Sequence, residues 1–165
     1  MKQEGCSCTK CVECCKHSCG WFGSIEEVKG AAKITGMSLV EFAKEYLIEE
    51  YWIGDNDISV IAPRKDFSRG IGLPGIMQSE IMQSEIERNG KGFVKASWSH
   101  NLITNIPCIF LDENNKCKIH ESKPQECRES FACRSDKHIT RDEIAEYWKK
   151  HKDFILNLRR EIKDV

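Results

Sequence analysis

The chain has 165 residues, with 25 lysines and arginines against 26 aspartates and glutamates. That length suits one domain with a modest core, and the balanced charge gives no field that would draw the protein to nucleic acid or to an anionic membrane. Apolar runs are short and broken by charge, and the opening Met1-Lys2-Gln3-Glu4-Gly5 lacks the basic-then-apolar layout of a secretory signal, so a cytoplasmic location is expected. Ten cysteines are the informative departure: in a reducing compartment metal ligation accounts for them better than disulfides do.

Six of the cysteines open the chain, at Cys6, Cys8, Cys11, Cys14, Cys15 and Cys19, and the other four, Cys108, Cys117, Cys127 and Cys133, fall in its last third. Residues 1–23 read as a cysteine loop. Ser24 and Glu27 then have capping-box spacing, and Ile25, Val28, Ala31 and Ala32 share one helical face before the break at Gly36. Ser38 and Glu41 repeat the cap, with Leu39, Phe42, Ala43, Tyr46 and Leu47 as a second apolar stripe. The pattern predicts a helix pair over residues 24–50 whose apolar faces cover the cysteines. As a DNA reader the second helix is poor, because Glu41 and Glu45 would meet phosphates.

From Asp55 to Gly75 the sequence reads as loop around one edge strand, Ile58 to Ala62, ended by Pro63. A tandem repeat follows, Ile76-Met77-Gln78-Ser79-Glu80 and then Ile81-Met82-Gln83-Ser84-Glu85. Its composition favours a tolerant surface helix over a methionine-lined site. Residues 106–134 form the distal cysteine segment, where Ile106 to Leu111 and Cys117 to Ile119 read as two short strands joined by an Asp/Asn turn, a hairpin with Cys108 and Cys117 at its base. Thr140 with Glu143 caps a final packing helix, residues 140–163, with Ile144, Tyr147, Trp148, His151, Phe154, Ile155, Leu158 and Ile162 at helical spacing.

Cys8-Thr9-Lys10-Cys11-Val12-Glu13-Cys14-Cys15 carries the chemistry. Cysteine at every third position wraps a loop round a cubane and gives each thiolate its own iron. One tetrahedral zinc is satisfied by a local pair and a remote pair, so these residues oversupply it, and the Cys14-Cys15 doublet points to a multinuclear site or to two adjacent sites. A chain with no cysteine across its middle must fold its ends together to complete a coordination shell, so metal should stabilise the fold. The distal spacing could also hold one zinc by itself.

These motifs, Cys8-x2-Cys11-x2-Cys14-Cys15 followed by Pro107-Cys108-Ile109-Phe110-Leu111, Cys117-Lys118-Ile119-His120-Glu121 and Lys123-Pro124-Gln125-Glu126-Cys127-Arg128, resemble the YkgJ-like cysteine-cluster family, domains described as zinc- or iron-chelating and named for CxxCxxCC. The resemblance spans both cysteine groups and the helical segment after the first. It implies that Cys8, Cys11, Cys14, Cys15, Cys108, Cys117, Cys127 and Cys133 are the ligands, with Cys6 and Cys19 as additions. Ile109 and His120 depart from the family's usual residues without touching a cysteine. Similar domains occur within a flagellin lysine methylase that resembles an iron–sulfur protein, so the family names a metal site better than a reaction.

Among the remaining residues, His120, three after Cys117, suits a ligand or a donor to a thiolate, or a solvated histidine, and His17 shares that ambiguity. Arg128 could donate to cluster sulfur or pair with a carboxylate. Trp21, Phe22, Trp98, Phe110 and Phe131 would wall a site or simply pack. No cysteine stands apart beside a histidine as a nucleophile would. The expectation is a small helix-rich α+β domain organised by metal, in which the cysteine loop and hairpin meet at one centre. Its expected function is that of an accessory protein holding a [4Fe–4S] cluster, for electron transfer to, or priming of, a protein partner. The alternative is a structural Zn²⁺ module for protein binding.

Overall fold

The computed structural model describes residues 15–16, 19–52, 55–69, 94–95, 106–129 and 140–163. Cys6, Cys8, Cys11, Cys14, Cys133, His17, Trp98, Phe131 and the tandem repeat lie outside the described residues. Cys15 and Lys16 have helical backbone, within the segment read as loop.

Helix α1, Ile25–Thr35, starts at Ser24, whose hydroxyl accepts from the Glu27 amide at 3.3 Å, and stops at Gly36, where φ of 72° is reached without a Cβ penalty. Only half of the expected capping box forms. The Glu27 carboxylate turns away from Ser24 to accept from the amides of Gly23 and Gln125, at 2.7 and 3.1 Å. Helix α2, Leu39–Tyr46, has the complete reciprocal box between Ser38 and Glu41.

The expected second helix ends at Tyr46 rather than near Glu50, and residues Leu47–Trp52 form strand β1. Leu47 is already extended, at φ −105° and ψ 154°. Ile48, Tyr51 and Trp52 are good strand formers, and the partner β2, Asp55–Pro63, satisfies the backbone antiparallel from Leu47↔Pro63 to Tyr51↔Ser59. Tertiary pairing thus overrides the helical stripe that Leu47 continued. The short β3, Val94–Lys95, pairs parallel on the other side of β1, giving the order β2-β1-β3 and leaving β2 at an edge as expected. The outer edge of β2 receives the Phe22 amide on Ile61 O at 2.9 Å, which ties the N-terminal segment to the sheet.

The last packing segment is two helices, α4 (Arg141–Lys150) and α5 (Lys152–Lys163), with the turn at His151. There the His151 amide reaches back only three residues, to Trp148 O at 3.1 Å, and its ring stacks on Tyr147. Trp148 is fully buried and donates Nε1 to Phe22 O at 2.6 Å. It joins Phe22, Val60, Ile61, Ile144, Ile155 and Leu158 in the main core. A second focus of the same core stacks Phe42, Tyr46 and Phe110, so α2 and the distal cysteine segment share an apolar contact. The fold is small, mixed α+β, and among the described residues no helix is long and apolar enough to cross a membrane.

The expected cysteine hairpin is a turn rather than a pair of strands. Asp112 organises it, accepting on Oδ1 from the amides of Asn114 and Lys116 at 2.8 Å each, while Asn115 takes the left-handed conformation at φ 59°. Leu111↔Cys117 is an isolated bridge, and Cys108 bridges to Lys65 instead. Local pairing is confined to the residues beside the turn, where Lys118 N donates to Phe110 O at 2.8 Å and Asp112 N to Lys116 O at 2.9 Å, while Pro107 and Ile109 pair with the strip that follows β2.

Candidate metal centre

Cys15, Cys19 and Cys108 are each held by a hydrogen bond to a distant part of the chain. The Cys108 amide donates to Cys15 O at 2.8 Å, joining the first cysteine group to the second. Cys108 is also held from the strip after β2, since Ile109 N donates to Arg64 O at 3.0 Å and Asp66 N to Pro107 O at 2.8 Å. Arg69, paired with Asp66, donates to the carbonyls of Cys108 and Leu111. Cys19 is buried, its thiol donating to Arg64 O at 3.6 Å. Cys117 follows the Asp112 turn, and Cys127 lies in the short helix α3, Gln125–Glu129.

Helix α3 is sewn to the N-terminal segment by carboxylates. Glu126, fully buried, accepts from the Trp21 amide at 2.8 Å and pairs with Arg141, whose guanidinium also lies 4.7 Å over the Trp21 ring. The Glu126 amide returns a bond to Trp21 O at 3.3 Å. Glu27 accepts from Gln125 and Gly23 and pairs with Arg128, whose other nitrogen donates to Lys123 O at 2.6 Å. Of the two roles open to Arg128, the structure shows the carboxylate pair. Gly20 is the point of closest approach: a Cβ there would fall 2.8 Å from the Cys127 amide nitrogen and against its Sγ, so only glycine lets the segments meet.

The thiols that result are neighbours. Burial pushes the Cys127 thiol well above the usual range, and Cys108, Cys15, Glu126 and Cys117 add to the effect. Cys108 is raised first by its hydrogen bond with Cys19, then by burial and by the Cys19 charge, with the Phe110 backbone and Lys65 opposing. Cys108 thus interacts with Cys19, Lys65 and Cys127, and Cys127 also with Cys15 and Cys117. Among the described residues no three Cys, His, Asp or Glu side chains converge closely enough to share one metal ion as they stand.

Of the expected ligands, Cys15, Cys108, Cys117 and Cys127 gather here, while Cys8, Cys11, Cys14 and Cys133 lie outside the described residues. Cys19, an addition by resemblance, stands beside Cys108. His120 is exposed in a 3-10 turn, its pKa lowered by burial and by Lys123 against Glu121. Trp21, Phe22 and Phe110 are buried and pack in the core. The sequence pattern gives Glu27 only the role of a helix cap, and gives Glu126, Gly20 and Lys65 none. Glu126 could have been singled out, since it directly precedes Cys127 in a helix that also carries Arg128.

The donors suit a soft cation. Thiolates select zinc and iron–sulfur iron over hard ions, and Cys108 and Cys127, whose pKa values are raised, would gain from a cation that takes their protons' place. No family model, no curated protein and no solved structure matches this chain.

Proposed function

We propose that this chain is a cysteine-centred metal protein whose thiols hold a [4Fe–4S] cluster, serving in the cytoplasm as an accessory that transfers electrons to, or primes, a protein partner. The observation that carries this is that the two ends meet: the Cys108 amide donates to Cys15 O at 2.8 Å, and Gly20, next to Cys19, lies against Cys127. Cys15, Cys108, Cys117 and Cys127 would join Cys8, Cys11, Cys14 and Cys133 as the ligand pool. A bound cluster would supply one-electron chemistry. The protein's own part is to hold the thiols at the seam, exclude water with Trp21 and Phe110, and keep Cys108 enclosed. The resemblance of the CxxCxxCC motif to the cysteine-cluster family supports the same reading.

A structural Zn²⁺ module is the second reading, favoured by the deep burial of Cys19 and Cys108, since closed thiolate coordination inside a core stabilises a fold and leaves no open position for chemistry. Under either reading the metal organises the fold's cysteine side.

Anaerobic purification with iron, sulfide and zinc analysis, and a visible spectrum before and after dithionite, tests the proposal. Iron matched by sulfide, with a broad absorption that bleaches on reduction, is expected. Stoichiometric zinc without sulfide, in protein never exposed to air, would leave the structural module, and protein with neither metal would overturn both readings. Cys127→Ser and Cys11→Ser should each lose metal, whereas Cys6→Ser should retain it.

A further inference from the structure

Lys65 is 1 % exposed, an unusual position for an ammonium group. Its backbone bridges to Cys108, and the adjacent Arg64 carbonyl accepts the Cys19 thiol. Cys19, Cys108 and Glu50 are among the charged and titratable groups around it. Glu50 is itself fully buried on β1 and accepts from Trp21 Nε1 at 2.6 Å. A buried lysine thus stands paired with Cys108 on the strip that also holds the Cys19 thiol, near a carboxylate anchored from the sheet. Its pKa is lowered by burial, with Cys19, Glu50 and Cys108 opposing.

We propose that Lys65 is the built-in counter-cation of the thiol centre, a positioning residue whose ammonium faces Cys19 and Cys108 and offsets the negative charge the centre gains on loading. The inference rests on the metal-binding reading above but not on the choice of metal. Four neutral thiols that bind one Zn²⁺ release four protons to solvent and leave a net charge of −2, and four thiolates on a [4Fe–4S]²⁺ core leave the same −2. A fixed positive charge beside the sulfurs favours loading in both cases, and the Glu50 carboxylate opposes it.

The test is an anaerobic Zn²⁺ competition against a chromophoric chelator, on the full chain reduced and stripped of metal, for wild type, K65M, K65R and E50Q. Methionine keeps the length and apolar stem of lysine, and glutamine keeps an oxygen for Trp21 Nε1. K65M is expected to bind Zn²⁺ about tenfold more weakly or worse, K65R to stay within about threefold of wild type, and E50Q to bind about threefold more tightly. A merely structural role would weaken K65M and E50Q alike. K65M within about threefold of wild type, or K65M and E50Q shifting in the same direction, overturns the proposal. If circular dichroism shows K65M unfolded, E50Q decides: tighter binding supports the counter-cation, and unchanged or weaker binding overturns it. Wild-type protein that takes up neither zinc nor iron overturns the metal reading and this inference together, whereas a wild type that loads beside an unaffected K65M overturns this inference alone.

Discussion

The main core and the cysteine seam are joined by different means. Around Trp148 and Phe22 the fold closes by apolar burial, with one indole hydrogen bond supplying direction. Around Cys127 it closes also by carboxylates: Glu126 and Glu27 collect backbone amides and arginines from Gly23, Trp21, Gln125, Arg128 and Arg141. Burial without direction tolerates repacking. A seam of charged hydrogen bonds fixes position, because each carboxylate left without its donors would bear the full cost of desolvation. Cys127 sits on the part of the molecule where position is fixed, which would suit the metal ligation proposed above.

The largest expected effect separates the two regions. Trp148→Ala removes the fully buried indole and its bond to Phe22 O, and should cost about 3–5 kcal/mol in urea unfolding. Molecules that remain folded should keep their metal content, and a proportional loss of metal per folded molecule would show that the regions are not separable. Gly20→Ala should do the converse. Its new methyl is driven against Cys127, so about 1–3 kcal/mol of stability is lost by overpacking, but metal uptake should fall far more than the unfolded fraction explains.

How legible each region was follows from its physics. The core could be read from periodicity: Val28, Ala31, Phe42, Ile144, Trp148 and Leu158, all picked from helical spacing, are buried. Errors came where partners outside the window decided, as at Leu47, whose stripe continued a helix while its backbone was claimed by β2, and at His151, where tight turning divided a continuous pattern. The sequence expects the two cysteine groups to meet, and of the first group the structure shows Cys15 accepting on its carbonyl from the Cys108 amide. What holds them together was not legible. Glu27 looked like a helix cap, which is a local rule, and its actual donors lie at Gly23 and across the chain at Gln125. No local spacing distinguishes a capping glutamate from one diverted to a remote segment. Lys65 was silent for the same reason, being one lysine in a loop until the fold buried it.

Acid and base should act on the seam and on the helix caps with opposite sign. Burial raises the Glu126 pKa above its ordinary 4.5, despite Arg141 and the Trp21 amide. A raised folded value means that Glu126's contribution to stability is fully present below 4.5 and lost as pH rises through the folded value. Glu41 and Glu143 are held below 4.5 by their capping bonds to Ser38 and Thr140, so their contributions are present above 4.5 and lost as pH falls through their folded values. Unfolding midpoints measured in steps across this range should show Glu126→Gln flattening the decline above 4.5 while leaving the acid limb unchanged. Relative to wild type the variant should therefore fare better at neutral pH than in acid, because glutamine carries no charge to bury. An unaltered slope would remove Glu126 as the titrating member of the seam.

The smallest effect tests whether Glu27 belongs to the helix or to the seam. Ser24→Ala removes the one hydroxyl that accepts the Glu27 amide, and an ordinary N-cap loss of about 1 kcal/mol is expected. In a reciprocal capping box such as that of Ser38 and Glu41, removing the serine also releases the glutamate. At Ser24 it should not, because the Glu27 carboxylate is occupied by Gly23, Gln125 and Arg128. Ser24→Ala should therefore leave metal affinity at the wild-type value, whereas Glu27→Gln, which keeps the helix propensity but weakens the Arg128 pair, should lower it. Equal metal affinities in the two variants would return Glu27 to the role of a helix cap and leave Glu126 as the carboxylate on which the seam depends.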